Sequence, residues 1–181
     1  MRNYNSIQGW FSPQDCQAYR FLISNSPEDA TIVEVGSWLG KSSSFLLDNK
    51  KPNQKVICVD TWRGSVNELT TTHKLATQTD IFEIFKENLG SREYSALRLA
   101  SVEAAATFED ASLDVVFIDA EHTYEAVCAD IDAWKPKVKC GGYIAGHDYT
   151  PKCGVPKAVN EKFKKEKITT GPYGSCWVVK L

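Results

Sequence analysis

Short runs of β-branched residues alternate with helix-like segments along nearly the whole chain, and this alternation limits the fold more than any other feature. TIVEV (31–35), KVICVD (55–60), SALRLA (95–100), LDVVFID (113–119) and GGYIAGHD (141–148) read as five strands. Each is short and bounded by turn residues; TIVEV, KVICVD and LDVVFID are rich in Val and Ile, the signature of strands buried on both faces, and SALRLA is the weakest of the five. Between them lie GSWLGKSSSFLLDNK, ATQTDIFEIFKENLG (76–90), SVEAAATF and TYEAVCADIDAWKPKV, with apolar residues at helical spacing; Ile81, Ile84, Phe85 and Leu89 are one such set. A further helix precedes the first strand, started by Ser12 and Pro13 and ending before Pro27, and VPKAVNEKFKKEK (155–167) follows the fifth. ITTG and SCWVVKL close the chain as two short strands around PYG. Strands alternating with helices give an α/β fold. The expectation is a Rossmann-like three-layer sandwich over residues 1–181, with a seven-stranded, mainly parallel sheet ending in an antiparallel hairpin.

Composition narrows the function. With 21 Lys and Arg against 23 Asp and Glu, the net charge is −2, which gives no electrostatic reason to expect nucleic acid or an anionic membrane. No apolar run approaches the roughly 18 residues of a membrane span, and MRNYNSIQGWFSPQD lacks the apolar core of a signal peptide. The cytoplasm is therefore the expected compartment. Cys16, Cys58, Cys128, Cys140, Cys153 and Cys176 are scattered without any C-x-x-C pair, a pattern of reduced structural thiols rather than a disulfide frame or zinc site. KFKKEK reads as a solvated helix face. RGSVNELTTTHKLATQT (63–79) is the least patterned stretch and reads equally as a mobile lid or a solvated loop.

The turn after the first strand is the most informative segment. In Glu34-Val35-Gly36-Ser37-Trp38-Leu39-Gly40-Lys41-Ser42, two glycines flank a sharp strand-to-helix turn. Glycine permits positive φ and close approach of a ligand, and the helix start offers free N–H groups. Lys41 and Ser42 look like the end of a P-loop, but the loop is one residue too short. Trp38 breaks the dinucleotide pattern G-x-G-x-x-G.

E-x-G-x-x-x-G after a strand resembles motif I of the class I S-adenosylmethionine-dependent methyltransferases. The resemblance continues through CVDTWRG, LASVEAAATF, FIDAEHTYEAVCADIDAW, CGGYIAGHDY and GVPKAV, from about residue 9 to residue 180. These motifs look like a small subgroup related to sugar and macrolide O-methyltransferases. The resemblance implies S-adenosylmethionine as cofactor, bound by Glu34, Gly36, Ser37, Gly40 and Ser42 of the turn, with Asp60 on the ribose hydroxyls and Thr61 and Trp62 beside it. Trp38 and Trp62 either pack on adenine or shield the core. Ala100, Ser101 and Val102 would approach adenine, and Asp119 and His122 would complete the cofactor site, although His122 could equally brace the following helix.

Asp119, Glu121, His122, His147 and Asp148 fall at the ends of the fourth and fifth strands. Several acids in one cleft repel unless they hold a cation or a proton. Asp119, His147 and Asp148 are accordingly candidate ligands for Mg²⁺ or Mn²⁺, a conditional second cofactor. Asp119 and Asp148 match carboxylates of metal-dependent relatives, whereas His147 stands where some relatives have a second aspartate. Glu121, His147 and Asp148 are the candidate catalytic groups, Glu121 as general base by resemblance and a histidine by its ordinary pKa. The expected function is methylation of a hydroxyl on a small molecule or sugar acceptor, with no nucleic-acid or membrane partner. The alternative is a non-catalytic cofactor-binding or interaction module on the same fold. Oligomeric state is not legible.

Overall fold

The computed structural model describes residues 2–64 and 75–181. Most of the unpatterned stretch 63–79, including the lid expectation at residues 65–74, lies outside the described residues. The elements are α1 (Pro13–Asn25), β1 (Thr31–Val35), α2 (Lys41–Asn49), β2 (Lys55–Asp60), α3 (Leu75–Gln78), α4 (Ile81–Leu89), β3 (Ser95–Arg98), α5 (Ser101–Ala105), β4 (Leu113–Ile118), α6 (Tyr124–Trp134), β5 (Val138–Gly146), α7 (Val155–Lys162), β6 (Ile168–Thr169) and β7 (Trp177–Lys180).

The seven strands form one sheet in the order β3-β2-β1-β4-β5-β7-β6. The five expected strands are parallel to one another. β7 inserts between β5 and β6 and runs antiparallel to both, so the terminal hairpin adds its second strand to the sheet first. Alternate side chains of each strand serve opposite faces, as a period of two requires. Ile32, Val56, Cys58, Val115 and Phe117 pack with Tyr19, Leu22, Phe45 and Phe85 from the α1, α2 and α4 layer. Val33, Val35, Val59, Val116 and Ile118 pack with Ala104, Ile131, Trp134 and Val159 from the α5, α6 and α7 layer.

Local chemistry sets the helix ends. Ser12 and Asp15 form a reciprocal capping box at the start of α1, with Pro13 in its first turn. The single helix expected over 76–90 is two helices, because Asp80 caps α4 by accepting from the Phe82 N–H. Its carboxylate also pairs with both terminal nitrogens of Arg98. α7 stops at Lys162 rather than continuing through the lysine run, and β5 starts three residues earlier than expected, at Val138.

The register decides where function can sit. Val35 is level with Val59 and with Ile118, and Ile118 with Gly146. The next residues, Gly36, Asp60, Asp119 and His147, therefore stand in a row along the carboxyl edge. The chain reverses its winding between β1 and β4, and a crevice opens at such a point. Gly36, at φ 93°, is compulsory there: a Cβ would lie 1.8 Å from the Asp119 carbonyl oxygen. Flanking hydrogen bonds, Gly36 N–H to Val59 O (2.8 Å) and Asp119 N–H to Val35 O (2.8 Å), prevent the strands from yielding. Gly36→Ala is expected to destabilise the protein by more than about 2 kcal/mol in denaturant titration. A midpoint unchanged from wild type would contradict this account of the crossing.

Candidate active site

One cavity of about 720 Å³ occupies the crevice. Its walls include Gly36, Ser37 and Ser42 from the first turn, Asp60 and Thr61 after β2, and Ala100, Ser101 and Val102 after β3. Asp119, Glu121 and His122 after β4 and His147 and Asp148 after β5 complete the set brought together from the sequence reading. Three expected cofactor residues are not among the lining residues. Glu34 is fully buried beneath the turn. Gly40 (φ 84°) faces α4, where a Cβ would meet Phe85 at 3.0 Å and Leu89 at 3.2 Å. Trp62 is buried against Phe82 and Phe85, with its indole N–H donated to the Trp38 carbonyl at 2.8 Å. Of the two tryptophans left open between adenine and core, Trp62 goes to the core and Trp38 lines the cavity.

Glu34 shapes the site from below. Its carboxylate accepts from the hydroxyls of Tyr19 (2.9 Å), Ser37 (2.8 Å) and Ser43. Burial raises its pKa, and these hydroxyl donors oppose the rise. Glu34 thus ties α1, the turn and α2 to β1 rather than touching a ligand. Gly40 has no side chain with which to cap α2, so the first N–H groups of that helix remain available beside Ser42. Lys41 donates to the Gly9 carbonyl at 3.0 Å, pinning the N-terminal segment to α2 instead of acting as a phosphate clamp.

Asp60 bridges two loops. One carboxylate oxygen accepts from Trp38 N–H at 2.8 Å and the other from Trp62 N–H at 2.7 Å. Burial pushes its carboxyl pKa up, against the backbone donors Trp62, Trp38 and Thr61. Each oxygen keeps a second acceptor site, enough for two hydroxyl donors of a diol.

The acids and histidines beyond β4 and β5 form a compact network. Asp148 Oδ2 lies 3.0 Å from His122 Nε2 and 3.0 Å from His147 Nδ1. Asp119 Oδ1 lies 3.6 Å from His122 and 3.7 Å from His147. The far nitrogen of His147 is 3.4 Å from Asp15 Oδ1, an α1 residue whose other oxygen caps the helix. Burial alone would lower both histidine pKa values, but the surrounding carboxylates prevail. His122 is pushed up to about 11 by Asp119 and Asp148, and His147 up to about 10 by Asp148, Asp15 and Asp119. Burial would raise Asp148, yet its two histidine partners hold it well below the usual carboxylate range. Asp148 also adopts a left-handed backbone (φ 55°), a conformation that aspartate tolerates better than most residues.

The structure adds His122 to the expected metal set of Asp119, His147 and Asp148. Asp119, His122 and Asp148 can each place a ligand atom within 4.8 Å of the others, and His147 also groups with Asp15 and Cys176. His147 keeps its Nδ1 beside Asp148 and Asp119, while α1 presents Asp15 to its Nε2, a contact between segments 132 residues apart. Other lining residues were not singled out in the sequence. Gln8, Gly9 and Trp10 reach the cavity from an aperiodic segment, and Trp10 is 59% exposed there. Ala126, Ala129 and Asp130 line it from α6; their helical spacing was the one available signal, a small-residue face carrying a single acid. Asp15 was readable as the third position after Ser12 in a capping box, but not as a histidine partner.

A family model described as a methyltransferase domain matches residues 33–149, from β1 through the segment after β5. An uncharacterized protein of Acanthamoeba polyphaga mimivirus is 31% identical over 125 residues, covering 67% of this chain and 52% of the viral protein. The match thus spans about half of that curated relative. Among solved structures, the O-methyltransferase NovP aligns with a TM-score of 0.66 at 19% identity, covering 92% of this chain and 79% of its own. A TDP-rhamnose 3'-O-methyltransferase of calicheamicin biosynthesis gives 0.60 at 12% identity, with 91% and 76% covered. An rRNA methylase from Streptococcus thermophilus gives 0.59 at 12%, with 95% and 97% covered. At these identities the likenesses establish the fold and leave the acceptor open. The family match takes in Gly36, Asp60, Asp119 and Asp148 together, and the chain belongs to the methyltransferase-domain family, with the Rossmann-like fold of the class I S-adenosylmethionine-dependent enzymes.

Proposed function

We propose that the chain transfers a methyl group from S-adenosylmethionine to a hydroxyl oxygen of a small molecule, with a sugar as the favoured acceptor class. The observation that carries this reading is one cavity bounded by Asp60, the Gly36 turn and the Asp119–Asp148 network. The sugar preference draws on the NovP and TDP-rhamnose enzymes as structural relatives. A diol on Asp60 fixes the ribose, and the open start of α2 with Ser42 suits the carboxylate of the methionyl tail. The bound cofactor supplies an activated methyl on a sulfonium, so the protein's task is alignment and removal of the acceptor proton.

The histidines do not suit the role of base. Both are cations at neutral pH in the network around Asp148, and that carboxylate, held low by them, is a poor base, which leaves Asp119 and Glu121 as proton acceptors bordering the cavity. The two imidazolium groups offset part of the charge of Asp15, Asp119 and Asp148, and they hold the loops after β4 and β5 in place. A divalent cation is a second reading, favoured by the spacing of Asp119, His122 and Asp148. It requires His122 to surrender its proton, since a metal ligand must be a neutral imidazole. The cation would then orient the acceptor hydroxyl and lower its pKa.

Asp60→Asn should weaken S-adenosylhomocysteine binding by about tenfold or more in calorimetry, because the amide loses acceptor capacity and a charge-assisted bond. An unchanged Kd would remove the ribose assignment, and no binding by wild type would remove the cofactor reading. For stability, the sign follows from raised folded-state pKa values. The histidine contribution is complete below pH 6.5 and drains away as pH rises toward 10 to 11. Denaturation midpoints should therefore fall across that window, less steeply in His147→Asn, and equal slopes would refute the network's role. If Mn²⁺ raises the wild-type thermal midpoint at pH 7 and Asp119→Asn abolishes the rise, the cation reading is supported; an unmoved midpoint rejects it.

A further inference from the structure

The ribose site and the Asp–His network leave one buried carboxylate on the cavity wall unused. Asp130, in the middle of α6, is 5% exposed and lines the cavity. Ala126 and Ala129 beside it keep that face of the helix low. Ser101, at the start of α5, neighbours Asp130 and favours its charged form. Ser101 Oγ already accepts from Trp134 Nε1 at 2.9 Å, so its own proton is free to point at the carboxylate. Among the described lining residues the only lysine is Lys41, which is committed to Gly9. A carboxylate so far from water needs further donors, and the cavity is where a ligand can bring them.

The sheet order says which part of a ligand that would be. β3 lies outside β2, so a nucleoside held by its ribose at Asp60 directs its base toward Leu99, Ala100, Ser101 and Val102. Val102 is 48% exposed and offers an apolar face to a flat ring. Those four residues supply no carboxylate or amide side chain for the ring's polar edge. The acid that neighbours Ser101 comes instead from α6.

We propose that Asp130 reads the polar edge of the cofactor's adenine, its carboxylate accepting a hydrogen bond from the exocyclic amine. This rests on the cavity being the S-adenosylmethionine site. Burial, with a smaller push from the Glu121 charge and against the Ser101 hydroxyl, raises the Asp130 carboxyl to about 6. Near neutral pH it is thus mainly an acceptor. Hypoxanthine presents a carbonyl oxygen where adenine presents the amine, so two acceptors would face each other and the base would be rejected. An asparagine could donate its amide N–H to that carbonyl and accept from the ring N–H, removing the penalty.

The test is calorimetric binding of S-adenosylhomocysteine and S-inosylhomocysteine to the wild type, Asp130→Asn and Asp130→Ala. Wild type should prefer the adenosyl ligand by about tenfold to a hundredfold. Asp130→Asn should bring the two ligands to within about threefold of each other by gaining affinity for the inosyl ligand, while its amide oxygen still accepts from the adenine amine. A wild type that binds both alike would overturn the assignment. So would variants that weaken both ligands by the same factor, since Asp130 would then only support Ser101 and Trp134. Absence of S-adenosylhomocysteine binding in wild type would fail the cofactor reading first, which separates that outcome from failure at Asp130.

Discussion

The close crossing of two backbones at the centre of the sheet is the constraint on which the rest depends. Gly36 leaves β1 against the Asp119 carbonyl with no room for a side chain. That contact brings the turn after β1 and the segment after β4 to one place, where the strand winding reverses. Asp60 extends the arrangement by one strand, since its two oxygens bind the backbone on either side of the crevice, at Trp38 and Trp62. Asp60 is therefore a strut as well as a cavity wall, and the shape of the cavity and its chemistry share residues.

A second layer of organisation is electrostatic. Three aspartates from α1, the end of β4 and the end of β5 meet two histidines in one half-buried network. Each imidazole lies between carboxylates, and the mutual charges outweigh the cost of burying them. Asp15 joins α1 to this network while its other oxygen caps the same helix. The N-terminal helix is thereby fastened to the carboxyl edge of the sheet, beside Gln8–Trp10 on the cavity wall.

Most of the fold was legible because its signal is local. Strands β1 and β2 match their expected bounds, and the apolar alternation within them assigns residues to the two faces without any knowledge of their partners. The errors have local causes too. Periodicity ran through Thr79 and Asp80 because the cap that restarts the helix is a single side chain, fixed further by Arg98 from another strand. Glu34, Gly40 and Trp62 share the motif with cavity residues, but a motif records spacing rather than direction. One points under the turn, one toward Phe85 and one into the aromatic core.

By itself the sequence determined the element order, the two-faced strands, the glycine at the crossing and the acid at the tip of β2, since each follows from backbone conformation or side-chain period over a few residues. Only the tertiary structure decided that both histidines meet Asp119 and Asp148, that Asp15 takes the far nitrogen of His147, and that Asp130 reaches the cavity from α6. Those pairings join residues far apart in the chain, and their energies depend on distance and burial, which exist only once the sheet has brought its carboxyl edge together.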